Sequence, residues 1–167
     1  MRRFLRSSIK PILICLLFAN SAKGQSIGST AEDSVRKAAL NFVAAFNDLD
    51  WPRFEASFDV TATLFNPSGR ARRVEGRDSI VASFKRGMGA IPSQRPGPPY
   101  LNISPQDLLI QVLGDAAIVT FHLGHATRIS RRTIVFVRRG DRWLIAHLHA
   151  SVIEVDTARV DSVKGVR

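Results

Sequence analysis

The sequence predicts an α+β fold, a curved, mostly antiparallel sheet forming a cone with three helices packed on its concave face. Three observations predict it. The first half of the chain carries three stretches of helical periodicity, everything from Leu101 onward alternates like strand, and the chain closes on a long hairpin about Gly140-Asp141. A single domain is expected, because 167 residues can bury a sizeable core.

In chain order, the first segment stands outside that fold. Arg2, Arg3, Arg6 and Lys10 precede the apolar run at residues 12–19, and Ala22-Lys23-Gly24 offers small residues at the two positions a signal peptidase reads. The run is much shorter than the roughly 20 apolar residues that span a bilayer. Residues 1–24 therefore read as a secretory signal, the mature chain as secreted or periplasmic, with no stable membrane anchor after cleavage. The one cysteine, Cys15, lies inside that run and lacks the preceding small residue of a lipoprotein signal, so the mature chain has no disulfide or thiol chemistry.

The formal charge of +10 shrinks with the signal, which takes five basic and no acidic residues and leaves 19 basic against 14 acidic groups. The densest basic patches are Arg70-Ala71-Arg72-Arg73, the stretch 128–132, and Arg138-Arg139. Few stacking aromatics accompany them, so they read as solvated turns and strand edges that discourage aggregation, and no nucleic-acid partner is expected.

Residues 25–30 are small and polar, a flexible leader to a cone domain over 31–156, with a polar tail at 157–167. Ser29 and Glu32 have capping-box spacing, and Val35, Ala38, Ala39, Phe42, Phe46 and Leu49 share one helical face, which predicts a helix over 31–48. A second short helix runs over 51–57, with Pro52 in its first turn. Val60, Ala62 and Leu64 then alternate with Thr61, Thr63 and Phe65 in a strand that ends at the turn Asn66-Pro67-Ser68-Gly69, and residues 73–75 return beside it. Gly76-Arg77-Asp78 opens a third helix with Ile80, Val81, Phe84 and Met88 on one face. Residues 89–100, rich in Gly, Pro and Ser, form a surface loop, and strands follow at 108–113, 116–125, 133–139 and 142–155.

The last strand carries His147 and His149 on one face, about 7 Å apart. Trp143 and Ile145 are expected on that same face, with Leu144, Ala146 and Leu148 on the other. A strand apolar on both faces is usually buried on both, which predicts one face lining the cone and the other packing on a second copy, a homodimer through the sheet. No carboxylate or cysteine is placed to join the histidines, so no metal is expected there.

The order helix, short helix, hairpin, helix and long strands resembles the nuclear transport factor two superfamily, also called the SnoaL-like or cystatin-like cone fold. Asp50-Trp51 through Phe65-Asn66-Pro67, then Val74-Glu75-Gly76-Arg77-Asp78, then the stretch from Asp141 to Ser151 carry the likeness, which covers residues 31 to 155. The closing strand is similar to that of the association domain of calcium/calmodulin-dependent protein kinases. The scaffold hosts isomerases, dehydratases, hydrolases and proteins without catalysis, so the resemblance implies the fold and leaves the reaction open. Against the ketosteroid isomerase of this superfamily, the general base falls on Asn66, the oxyanion tyrosine on Phe42, and the acidic partner near Thr133 or Ile134. None of these has the needed acidity or basicity, which excludes that chemistry in that form.

The sequence thus predicts a pocket for a small apolar or amphipathic molecule, lined by Phe42, Phe46, Trp51, Asn66, Tyr100 and His122, with no cofactor. His122 shares a strand face with Ile118 and Thr120. One alternative makes His122 and Asn66 the candidate catalytic pair of a proton-transfer enzyme of the isomerase, dehydratase or hydrolase type. The other is a non-catalytic homo-oligomeric assembly module.

Overall fold

The computed structural model describes residues 23–67, 72–125 and 128–154. The expected signal, apart from its last two residues, and the expected tail lie outside these. In chain order the elements are α1 (Lys23–Asn47), α2 (Trp51–Glu55), β1 (Phe58–Phe65), β2 (Val74–Glu75), α3 (Arg77–Met88), β3 (Gln106–Leu113), β4 (Ala116–His125), β5 (Arg128–Arg139) and β6 (Arg142–Glu154). One six-stranded sheet has the order β2-β1-β6-β5-β4-β3, and only the β1–β6 pairing is parallel. This is the predicted α+β cone, with the helices on the concave face.

The two largest departures from the expected boundaries are at α1 and β5. α1 starts at Lys23, so residues 25–30 are helical rather than a flexible leader. No proline interrupts them, and extending a helix is far easier than starting one. β5 starts at Arg128 rather than residue 133, because it pairs with β4 on one side and β6 on the other over its whole length.

Local chemistry explains the joints. α1 ends with Leu49 at φ 51, while the Asp50 amide reaches back to the Ala45 carbonyl at 2.9 Å. That left-handed cap usually falls to glycine; here burial of the Leu49 side chain against the domain holds it. Asp50 then caps α2 by accepting from the Arg53 amide, and Pro52 occupies the first turn. Gly76, at φ 82, makes the bend from β2 into α3 that an L side chain would resist.

The core is an aromatic cluster clamped between helices and sheet. Phe54 is fully buried, with Phe42, Phe46, Phe58, Phe84 and Trp51 all at centroid distances of 5.0–5.7 Å from it. Tilted and edge-to-face contacts of this kind add to the burial energy of the rings.

Besides an irregularity between Gln106 and Leu109 at the start of β3, the pairing shifts in the middle of the sheet. Phe136 pairs with Ile145, but Val135 pairs with His147, so Ala146 is an extra, unpaired residue in β6. The register of β1 against β6 shifts at the same level, between Phe58 and Thr63. Asp59 secures that stretch by accepting from the Thr61 amide at 3.0 Å, the Thr61 hydroxyl at 2.8 Å and Arg139 Nε at 2.8 Å.

The bulge corrects the face assignment for β6. An extra residue flips the alternation, so Trp143 and Ile145 share the buried face with Leu148 and Ala150, while His147 and His149 point to the outer face. The histidines and the tryptophan are on opposite sides of the sheet.

Candidate functional site

Between the helices and the far half of the sheet lies a cavity of about 570 Å³. α1 contributes Phe42, Val43 and Phe46, and α3 contributes Ser83, Phe84, Gly87 and Met88. The sheet closes it with Leu64 of β1, Phe121 and Leu123 of β4, and Leu148, Ala150 and Val152 of β6. Small residues at Ala150, Ser83 and Gly87 leave the space that aromatic rings fill on the other side of Phe42. The volume and the apolar lining are those of a site for a small organic molecule.

Leu101 and Ile103 form the remaining wall, and a single residue holds them there. Asn47, at the end of α1, donates Nδ2 to the Ile103 carbonyl at 3.0 Å and accepts from the Ile103 amide through Oδ1 at 2.8 Å. Its backbone carbonyl accepts from the amides of Tyr100 and Leu101 at 2.8 and 3.0 Å. The segment after the Gly/Pro-rich loop is thereby stitched to α1 without belonging to any strand.

Of the six expected pocket residues, Phe42, Phe46 and Asn66 line the cavity, and Trp51, Tyr100 and His122 do not. Trp51 packs edge-on against Phe54 at 5.7 Å and belongs to the aromatic cluster. Tyr100 uses its main chain as the anchor described above, its carbonyl also accepting from Arg95 at 3.0 Å. His122 lies between Phe121 and Leu123, both of which face the cavity, so strand alternation sends it to the outer face. There it is paired in register with Gln106 and Arg131. His122 and Asn66 are on opposite sides of the sheet, and the proton-transfer pair is not assembled.

The cavity's charged groups come from the basic stretch 128–132, expected on solvated turns and strand edges. Arg128, Ser130 and Arg132 alternate along β5 onto the concave face, in register with the inward-facing Ile134 and Phe136. Arg128 is exposed at the end of the strand and paired with Glu154 at 3.2 Å. Arg132 is half-buried, directly between Phe121 of β4 and Ala150 of β6. Its Nη1 donates to the Ser130 hydroxyl and to the Arg131 carbonyl. The Ser130 hydroxyl in turn donates to the Ser151 carbonyl across the ladder. Among the described residues, no acidic side chain lines the cavity and Arg132 has no ion pair. Burial holds its guanidinium below the ordinary value, yet an arginine stays charged at physiological pH.

The outer face has a different character. Thr63 Oγ1 and His147 Nδ1 share a hydrogen bond at 2.8 Å, and the Phe65 ring lies 5.8 Å from both His147 and His149. Burial, then the neighbouring His149 and Arg73, hold His147 below the usual histidine pKa. Among the described residues, no three His, Cys, Asp or Glu side chains converge as metal ligands would.

A sheet of this order, helices on one side and an open apolar cavity between them define a cone-fold domain of the nuclear transport factor two superfamily. Within it, the profile of the SnoaL-like domain matches residues 35–154, and the chain belongs to that family. Solved structures agree on the fold. A NTF2-like protein of unknown function from Pseudomonas putida has a TM-score of 0.62 at 22% identity, over 74% of this chain and 87% of that one. An uncharacterised protein with a cystatin-like fold from Caulobacter vibrioides has a TM-score of 0.61 at 18% identity, over 80% and 97%. The CaMKII hub of S. rosetta has a TM-score of 0.56 at 20% identity, over 73% and 96%. No curated protein matches the sequence.

Proposed function

We propose that the chain is a small-molecule-binding domain whose ligand, apolar or amphipathic, sits in the cavity between α1, α3 and the concave sheet. The observation that carries this reading is the cavity itself, about 570 Å³ of open space walled mainly by apolar side chains, beside a core of closely packed aromatic rings. Natural interiors are close-packed, and a space of this size is retained for an occupant. A thermal-shift panel of hydrophobic carboxylates, steroids and polyketides tests it. A true ligand at a hundredfold excess over its Kd adds about 2.7 kcal/mol, and stabilisation by at least one class is expected. A flat panel, together with side chains filling the cavity in a crystal structure, would remove the reading.

The same domain is proposed to act outside the cytoplasm, in keeping with the basic and apolar pattern of residues 1–24. Its test is the amino-terminal sequence of the protein recovered from outside the cytoplasm, expected to begin near Gln25. A chain retained in the cytoplasm with its first residues intact would contradict it.

A homodimer through the outer sheet face is proposed alongside. That face exposes Phe65, Leu109, Leu113 and Ile153, with Leu109, Thr120, Thr133, His149 and Phe65 aligned in one cross-strand row. Exposed apolar side chains gathered on one face are a feature of subunit contacts. Light scattering is expected to give a dimer mass; a monomer across a wide concentration range would contradict it.

A further inference from the structure

We infer that the ligand carries a carboxylate, seated on Arg132, with an apolar body running into the cavity. This deepens the binding reading above and rests on it.

The protein itself has used only one part of the guanidinium. Both Nη1 bonds go to the protein itself, to the Ser130 hydroxyl and the Arg131 carbonyl. Nε and Nη2 make no hydrogen bond among the described residues. No polar side-chain atom of the described residues is both fully buried and unpartnered, so these two nitrogens stay accessible. They are the edge of a guanidinium that presents two parallel N–H bonds, and a planar carboxylate with two oxygens matches that edge in bidentate fashion.

Rotation of the group is restricted from the other side. The Ser130 hydroxyl accepts from Nη1 and donates to the Ser151 carbonyl, so the fork is braced by β6. Ser130 is a positioning residue for Arg132. A pre-set fork loses less conformational entropy on binding than a free one.

Charge balance points the same way. A cation withdrawn from water is normally matched by an acidic neighbour. The other arginine of the cavity wall, Arg128, has Glu154, whereas Arg132 has none among the described residues and its own surroundings disfavour its charge. The missing counter-ion is a property the ligand can supply. The apolar lining around Arg132, from Phe121, Leu123, Ala150 and Val152, excludes a small hydrophilic anion as the whole ligand and calls for a hydrocarbon body.

Decanoate and decan-1-ol, which share a body and differ in the head, separate this inference from the reading beneath it. Isothermal titration of the full chain at neutral pH is expected to give decanoate about 10- to 100-fold tighter than decan-1-ol, the range for hydrogen bonds to a charged partner. In Arg132→Met the ratio is expected to fall to about one, and because it is taken within one preparation, any general loss of affinity cancels. Arg132→Lys keeps the charge and loses the parallel edge; its ratio is expected between the two, which covers the case in which the methionine variant does not fold. A ratio near one in the unaltered protein, or one retained in the variants, would overturn the carboxylate assignment while leaving a cavity for neutral molecules. Binding of neither compound would overturn both readings.

Discussion

β5 and β6 run the length of the cone, and their two halves do opposite things with the same alternation. Near the hairpin, Phe136, Trp143 and Ile145 turn large side chains into the core that holds the aromatic cluster around Phe54, and the open space there is a more polar cleft of about 430 Å³ between α1 and the hairpin. Past the bulge at Ala146, Ser130, Ala150 and Val152 turn small ones inward beside Arg132, and about 570 Å³ stays empty. Pairing resumes on both sides of the bulge, and the volume of the inward side chains distinguishes the core half from the site half. Phe42, Phe46 and Phe84 belong to both, forming the floor of the cavity and the wall of the cluster.

Substitutions on either side of that floor should separate the two halves. Phe54→Ala removes the hub of the packed half and is expected to cost about 3–5 kcal/mol of unfolding free energy in a denaturant titration. Asp59→Ala, at the bend between the halves, is expected to cost about 1–3 kcal/mol, because the Thr61 amide and Arg139 lose a buried acceptor. The Asp59 carboxyl is held below its ordinary value of 3.8, first by the Thr61 amide and hydroxyl, and also by Arg139. The stabilisation is therefore present above the unfolded-state pKa and lost as pH falls below 3.8 through the depressed folded value.

Smaller effects belong to the open half. Leu123→Ala, on a wall that already borders space, is expected to cost only about 1 kcal/mol, well under the Phe54 value. A cost equal to that of Phe54→Ala would mean the cavity is closed in solution. The smallest effect is on the outer face. His147 has a depressed folded pKa, so the unfolded chain binds its proton first, and stability declines as pH drops from about 6.5 toward the folded value. In His147→Gln that part of the acid slope should vanish from a pH series of melting curves.

The packed half was more legible in the sequence than the open one. Helical spacing of Val35, Ala39, Phe42 and Phe46 and the pair Asp50/Pro52 mark α1 and α2 directly, because each signal is local. The bulge at Ala146 has no local mark; it exists only in the pairing of β6 with β5 and β1, and without it the alternation puts Trp143 beside the histidines. Arg132 was legible in principle. Counting back by two from Ile134 reaches Arg132, Ser130 and Arg128, but a strand begun at Thr133 hides that count inside a loop. On β4 the alternation itself was legible: Ala117, Val119, Phe121 and Leu123 form a wholly apolar face against the mixed face of Ile118, Thr120 and His122, and the apolar face is the one turned to the core and the cavity.

The central claim, that the open half of the ladder is an apolar binding cavity, is tested most directly by titrating the protein with hexanoate, octanoate, decanoate and dodecanoate. Each added methylene entering the cavity should tighten Kd by about fourfold, the equivalent of about 0.8 kcal/mol per buried CH₂, until the space is filled. An affinity that does not change with chain length would contradict the account.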